Sequence, residues 1–270
     1  MPELPEVETT CRGIRPHVAG RRITDLLVHQ RQLRWPVPNQ LKKLLKNQKV
    51  ESVGRRAKYL LLETGNGCLI VHLGMSGSLR IVANGVPAQK HDQVDFVFGN
   101  KILRFHDPRR FGSIHWTRQD PLQHKLLRNL GPEPFSDAFS GRYLHGRAAS
   151  RKVSVKNFIM NSSVVAGVGN IYASEALFLS GIHPQRAAGR ISLSRYEKLV
   201  ANTKHVLSSA IDAGGTTLRD FTRENGRPGY FAQELNVYNR DGEPCPVCGH
   251  TIRLRTLGQR SSFYCSQCQH

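Results

Sequence analysis

Apolar positions change period along this chain. Between residues 3 and 19, Val7, Cys11, Ile14 and Val18 recur at spacings of four, three and four, which predicts a helix with one buried face. Pro5 suits its first turn, and Pro16 is expected to kink or end it. Short apolar runs follow at Tyr59–Leu62, Leu69–Leu73, Leu79–Val82, Val94–Phe98 and Ile102–Phe105, and these read as strands. Gly99-Asn100, between the last two, is a two-residue hairpin signal. The first half is therefore expected to be an antiparallel β-sandwich preceded by one helix.

Leu130-Gly131-Pro132-Glu133-Pro134 has the composition of a linker. Beyond it the period becomes helical. Ser194 and Glu197 have capping-box spacing ahead of a stripe of Tyr196, Leu199, Val200, Thr203, Val206, Leu207, Ala210 and Ile211, which Gly214-Gly215 closes. That stripe is read as core. The expected organisation is α+β multidomain: a sandwich domain over 1–130, a linker and the start of a helical domain over 131–150, a helical domain over 151–235, and a small cysteine module over 236–270.

The 270 residues carry 39 Lys and Arg against 20 Asp and Glu, a formal charge of +19. With 39% hydrophobic residues this is a folded basic body rather than a disordered tail. Such a charge attracts polyanions, nucleic acid foremost, although a basic surface also serves solubility alone. No stretch reaches membrane-span length, and the start MPELPEVETT is acidic where a signal peptide is basic. A cytoplasmic location is expected.

Four of the six cysteines fall in the last 26 residues, as Cys245-x2-Cys248, sixteen residues, then Cys265-x2-Cys268. This is the spacing of a four-thiolate zinc site. A closed shell leaves no place for water, so one structural Zn2+ is expected, and it lowers the net charge to about +17. Two disulfides are the alternative; Cys11 and Cys68 read as buried thiols. A zinc deaminase also carries PCxxC, but its chemistry needs a His-x-Glu, and this chain has none. Arg253, Arg255 and Arg260 lie between the cysteine pairs with no acid from Pro244 to His270, a composition suited to gripping phosphate.

Met1 precedes Pro2, whose small side chain permits removal of the methionine. The mature chain would then begin with a secondary amine, less basic than lysine and able to attack an electrophilic carbon. Glu3, next to it, could move protons.

The strings MPELPEVET, RRAKYLLLE (55–63), HLGMSGSLR (72–80), DPRRFG (107–112), GVGNIYASEALF (167–178), GGTTLRDF (214–221) and PGYFAQELNVY (228–238) occur in that order, ahead of the cysteine module. Over its whole length the chain resembles the bacterial formamidopyrimidine-DNA glycosylases, bifunctional enzymes that remove 8-oxoguanine and ring-opened purines from double-stranded DNA.

The resemblance implies that Pro2 attacks C1′ of the damaged nucleotide and that Glu3 serves as acid and base. It implies that Lys58 assists β-elimination and that Arg260 binds phosphate and assists δ-elimination. Met75, Arg110 and Phe111 match residues that fill the void left by the extruded nucleotide, Arg110 donating to the orphaned cytosine. His91, Arg151 (or Lys152, since RKVSVK permits a shift by one), Lys156 and Asn170 match DNA-contacting positions. Gly167-Val168-Gly169-Asn170 fits the family's helix–two-turn–helix element, where a helix N-terminus favours an anion. Residues 216–230, with Gly226 and Gly229 as pivots, match the loop over the everted base. The resemblance also implies a monomer acting on nucleoid DNA.

Two other readings stay open on the sequence. The sister family, endonuclease VIII, excises oxidised pyrimidines from a PEGPE start, where this chain reads PELPE, and lacks the Met75, Arg110 and Phe111 set. A non-catalytic zinc protein that binds damaged DNA would retain only the grip.

Overall fold

The structure is a computed structural model and describes residues 2–214 and 235–270. The expected lesion loop at 216–230 lies outside the described residues. The chain divides into two compact units, one built on the residues up to Arg128, the other on Asn129–Asp212 with the carboxyl-terminal segment.

The first unit opens with helix α1, Leu4–Val18. Its start is a reciprocal capping box: the Glu3 N–H donates to Glu6 Oε2 at 2.8 Å, and the Glu3 carboxylate accepts from the Glu6 N–H. The helix runs through Pro16 and ends two residues later, where the Ala19 N–H still reaches the Arg15 carbonyl. Its apolar stripe, Val7, Cys11, Ile14 and Val18, is buried as the spacing predicts.

Eight strands follow: β1 (Asp25–Val28), β2 (Val50–Arg56), β3 (Tyr59–Thr64), β4 (Gly67–His72), β5 (Ser78–Ala83), β6 (Asp92–Phe98), β7 (Lys101–His106) and β8 (Ser113–Thr117), with a short helix α2 (Leu41–Leu45) after β1. They form two four-stranded antiparallel sheets, ordered β1-β6-β7-β5 and β2-β3-β4-β8. Alternate residues share one core with α1: Val94, Phe96 and Phe98 on β6, Leu60 and Leu62 on β3, and Leu69 and Val71 on β4. The expected turn at Gly99-Asn100 joins β6 to β7, with Gly99 at φ +66° and Phe98 opposite Lys101. Four elements carry too little pattern to be read in advance. β1 and α2 have four and five residues, and β2 and β8 mix Gly, Arg and His into their apolar positions.

In the second unit, α3 (Gly141–Ala148) and α4 (Val155–Met160) are capped by the hydroxyls of Ser140 and Ser154, which accept from the N–H groups of Tyr143 and Asn157. Then come α5 (Asn170–Leu179) and α6 (Leu193–Asp212). The α6 stripe is buried as expected, but Ser194 is the second residue of the helix and does not cap it. The boundary lies two residues earlier, where the Ser192 carbonyl accepts from the Tyr196 N–H. Leu193, at the first position of the helix, is exposed and lies outside the buried stripe, so periodicity alone overlooks it.

Strands β9 (Arg253–Leu257) and β10 (Arg260–Tyr264) form a hairpin on Gly258-Gln259, both at positive φ, +54° and +61°. That is the turn whose twist matches the strands. Phe263 and Ile252 cluster with Val237, Cys245, Cys265 and Phe178 of α5, so the cysteine module shares an apolar core with the helices. Among the described residues no helix is long and apolar enough to cross a membrane.

Candidate active site and metal centre

The four C-terminal thiols converge. The Sγ atoms of Cys245, Cys248, Cys265 and Cys268 lie within 4.8 Å of one another, with Cys245–Cys268 at 3.8 Å and Cys248–Cys265 at 3.4 Å. A disulfide needs about 2.05 Å. A tetrahedron with Zn–S bonds of about 2.3 Å has edges of roughly 3.8 Å, so the four sulfurs fit one zinc. Each pair sits on a turn, closed by the Gly249 N–H to the Cys245 carbonyl and the Gln269 N–H to the Cys265 carbonyl.

Arg260 opens β10 and is exposed, beside Ser261. The Ser261 carbonyl accepts from Lys156 Nζ of α4 at 2.8 Å and from Asn170 Nδ2 of α5 at 3.0 Å, and Lys156 also donates to Ser262 Oγ. Lys156 is fully buried. Of the residues expected at a DNA surface in this unit, Arg151 and Lys152 are exposed, Asn170 is half-buried, and Lys156 is interior. The segment ahead of the cysteines is held by Glu175, a buried carboxylate on α5 that accepts from the N–H groups of Asn236, Val237 and Tyr238 and from Asn236 Nδ2, all at 2.8–2.9 Å.

In the first unit, Pro2 and Glu3 are buried at the head of α1. Lys58 stands at the tip of the β2–β3 hairpin, whose two-residue turn is Ala57-Lys58. Ala57 takes φ +52°, and Arg55 Nη1 closes the turn on the Ala57 carbonyl at 3.0 Å. His72, at the end of β4, packs on Tyr59 with ring centroids 4.7 Å apart. Burial, with the Lys58 charge beside it, pushes His72 down to about 4. A neutral His72 accepts the Gly74 N–H at Nδ1, 3.0 Å away, and so sets the loop that carries Met75. HLGM flagged this stretch without singling out His72.

The Arg110-Phe111 loop joins β7 to β8. Phe111 is 44% exposed, and the Arg109 guanidinium lies 4.9 Å from its ring centroid. Arg110 takes φ +56°, a strained conformation for a side-chain-bearing residue. The loop packs against the Met75 loop: at Gly74, φ +71°, an added methyl would collide with the backbone of Phe111 and Gly112. His91, exposed at φ +75°, precedes a buried ionic layer. There Arg104 holds Asp95 with two bonds of 2.8 Å and reaches the Val86 and Pro87 carbonyls, while Asp92 accepts from Arg80, from His106 and from the Gln89 N–H. The expected catalytic set thus divides between the units, with Pro2, Glu3 and Lys58 in the first and Arg260 in the second.

Three sequence profiles match in series: "Formamidopyrimidine-DNA glycosylase N-terminal domain" over residues 1–114, "Formamidopyrimidine-DNA glycosylase H2TH domain" over 130–222, and "Zinc finger found in FPG and IleRS" over 242–270. The chain belongs to the formamidopyrimidine-DNA glycosylase family. Relatives bearing that name in Nitrosococcus oceani and Methylococcus capsulatus are 57% and 59% identical, each covering 100% of both chains. A Lactococcus lactis family member, solved with a Fapy-dG-containing DNA, superposes with a TM-score of 0.94 at 31% identity over 100% of both chains. The Thermus thermophilus protein gives 0.89 at 34% identity over 99% of this chain and 98% of the other. The α4–turn–turn–α5 element falls within the family's H2TH match, and all four cysteines within its zinc-finger match.

Proposed function

We propose that this formamidopyrimidine-DNA glycosylase excises oxidised purines, 8-oxoguanine and formamidopyrimidines, from double-stranded DNA and then cuts the strand. It acts as a monomer at chromosomal DNA in the bacterial cytoplasm. The observation that carries this reading is the placement of Pro2 and Glu3, buried together at the head of α1 in a chain that aligns end to end with relatives of that name.

The target carbon lies inside a duplex, so the nucleotide must first leave the stack. Met75 and Phe111 enter the void, and Arg110 donates to the orphaned cytosine. The neutral Pro2 amine attacks C1′, the glycosidic bond breaks, and the base departs with a proton relayed by Glu3. The C1′–O4′ bond then breaks as Glu3 passes a proton to O4′, leaving the opened sugar joined to Pro2 as an iminium. This acidifies C2′, and loss of its proton expels the 3′ phosphate by β-elimination with Lys58 assisting. The 5′ C–O bond follows by δ-elimination with Arg260 on the phosphate. Hydrolysis frees Pro2 and leaves a one-nucleotide gap with phosphates at both ends. Cys245, Cys248, Cys265 and Cys268 hold the zinc, which when bound supplies folding energy to the hairpin bearing Arg260.

Borohydride reduction during reaction with an 8-oxoguanine duplex tests this, with intact-mass analysis of the adduct. The expected result is a covalent protein–DNA species through Pro2 on a chain lacking Met1, weakened by Pro2→Gly, with base release strongly reduced by Glu3→Gln. A chain that binds the duplex but never traps is a binding protein. Preferential excision of oxidised pyrimidines identifies an endonuclease VIII-like specificity.

A further inference from the structure

Asp107 is completely buried and bonds to every segment of the first unit assigned above to the DNA surface, the hairpin tip of Lys58 apart. Its Oδ1 accepts from the Ser76 hydroxyl at 3.0 Å, and Ser76 directly follows Met75. Its Oδ2 accepts from the Gly112 N–H at 2.8 Å, and Gly112 directly follows Phe111. The Asp107 carbonyl accepts from the Arg110 N–H at 3.3 Å and from Gln93 Nε2 at 2.7 Å, and its own N–H donates to the His91 carbonyl at 2.9 Å. These partners are all neutral groups.

Two of the segments hold residues in left-handed backbone, Arg110 and His91. Such conformations persist only where surrounding bonds over-determine them. The Asp107 bonds to Arg110, to Gly112 and to the His91 carbonyl supply that constraint. At Gly74 the backbones of the two loops approach too closely to admit even a methyl group.

We propose that Asp107 is a positioning residue that locks the Met75 loop and the Arg110-Phe111 loop into one rigid wedge, so that filling the void and reading the orphaned base occur as a single event. The inference rests on the function proposed above and goes beyond it. Loops moving independently would let Met75 enter while Arg110 missed its cytosine. Joined through one carboxylate, they enter in register or not at all. Ser76 is buried and spends its hydroxyl on Asp107, so it belongs to the same device.

The test uses the full chain with Asp107→Ala, Asp107→Asn and Ser76→Ala, on two substrates. One is a duplex with 8-oxoguanine opposite cytosine or adenine. The other is a single-stranded oligonucleotide with a preformed abasic site, which has no void and no partner base. Asp107→Ala is expected to lose roughly 100-fold in duplex excision, the scale of a misplacement of about 1 Å, and to lose preference for cytosine. Borohydride trapping on the single strand should be unchanged. Ser76→Ala should show the same duplex-specific loss, smaller. Asp107→Asn should recover most of it, because its amide oxygen accepts from Gly112 while its NH2 donates to the Ser76 hydroxyl. Equal losses on both substrates, or none in Ser76→Ala, would overturn the proposal. If Asp107→Ala does not fold, Ser76→Ala decides by the same criterion. A wild-type chain unable to excise from duplex sinks the underlying function as well, an outcome distinct from a normal wild type with variants that fail to separate the substrates.

Discussion

Lys156 donates its buried ammonium to the Ser261 carbonyl at 2.8 Å, one residue from Arg260. A lysine expected at the DNA surface is thus an internal brace in this structure. It ties α4 to the hairpin, and Asn170 ties α5 to the same oxygen. The helix–two-turn–helix element and the zinc hairpin are thereby joined where the candidate phosphate-binding arginine emerges.

Lys156→Met should therefore destabilise the second unit by about 1–3 kcal/mol, because its charged donor is lost from Ser262 Oγ and from the Ser261 carbonyl, which keeps only the bond from Asn170. DNA affinity should fall with it while the salt dependence of binding stays as in the wild type. Urea unfolding and binding titrations over a salt series check both. A shallower salt slope would show the ammonium on a phosphate.

Arg260→Ala should behave in the opposite way. Stability should hold within about 0.5 kcal/mol, as for an exposed surface change. The slope of log K against log salt should fall by about 1 because one phosphate contact no longer releases its counterion.

Metal analysis of freshly purified protein should find one zinc per chain. Chelation, or Cys265→Ser, should unfold the β9–β10 module and loosen the cluster around Phe178 and Val237, while the sandwich keeps its own melting transition. Two transitions separating on chelator titration would establish this; a single unchanged transition would exclude a structural metal.

Stability should also depend on pH through His72. An unfolded histidine titrates near 6.5, and burial together with Lys58, Arg34 and His115 brings the folded group down to about 4. The neutral form is the one the fold favours, so this stabilisation is complete above about pH 6.5 and is lost as pH falls towards 4. The slope contributed by one proton is at most about 1.4 kcal/mol per pH unit. His72→Asn, whose Oδ1 can replace Nδ1 as acceptor for the Gly74 N–H, should flatten the acid limb in denaturation at pH 7.5 and pH 5. Part of the slope should persist, since burial, with His124 and Lys125 nearby, also brings His115 down to about 4.

Helix α1 and the α6 stripe were legible because their burial repeats with the helical period, and strands β3 to β7 because they are short, nearly continuous apolar runs. The CxxC pairs were legible because ligand spacing is local. What escaped depends on contacts distant in sequence. Nothing around Lys156 reveals that residues 261 and 262 surround its ammonium. Asp107 reads as one letter of DPRRFG until Ser76 and His91 arrive from other loops, and Glu175 sits inside an apolar helix with its four donors about 60 residues away. Ser194 misled because a capping pattern is short enough to recur inside a helix.

The buried layer of charge has a bearing on the surface. Among the described residues Glu3, Glu6, Asp92, Asp95, Asp107 and Glu175 are turned inward, against only two cations, Arg104 and Lys156. A sequence with just 20 acids thus hides at least six of them as mortar. The exterior is thereby more lopsided than the formal charge of +19 conveys, and a polyanion sliding along it meets few repulsive spots.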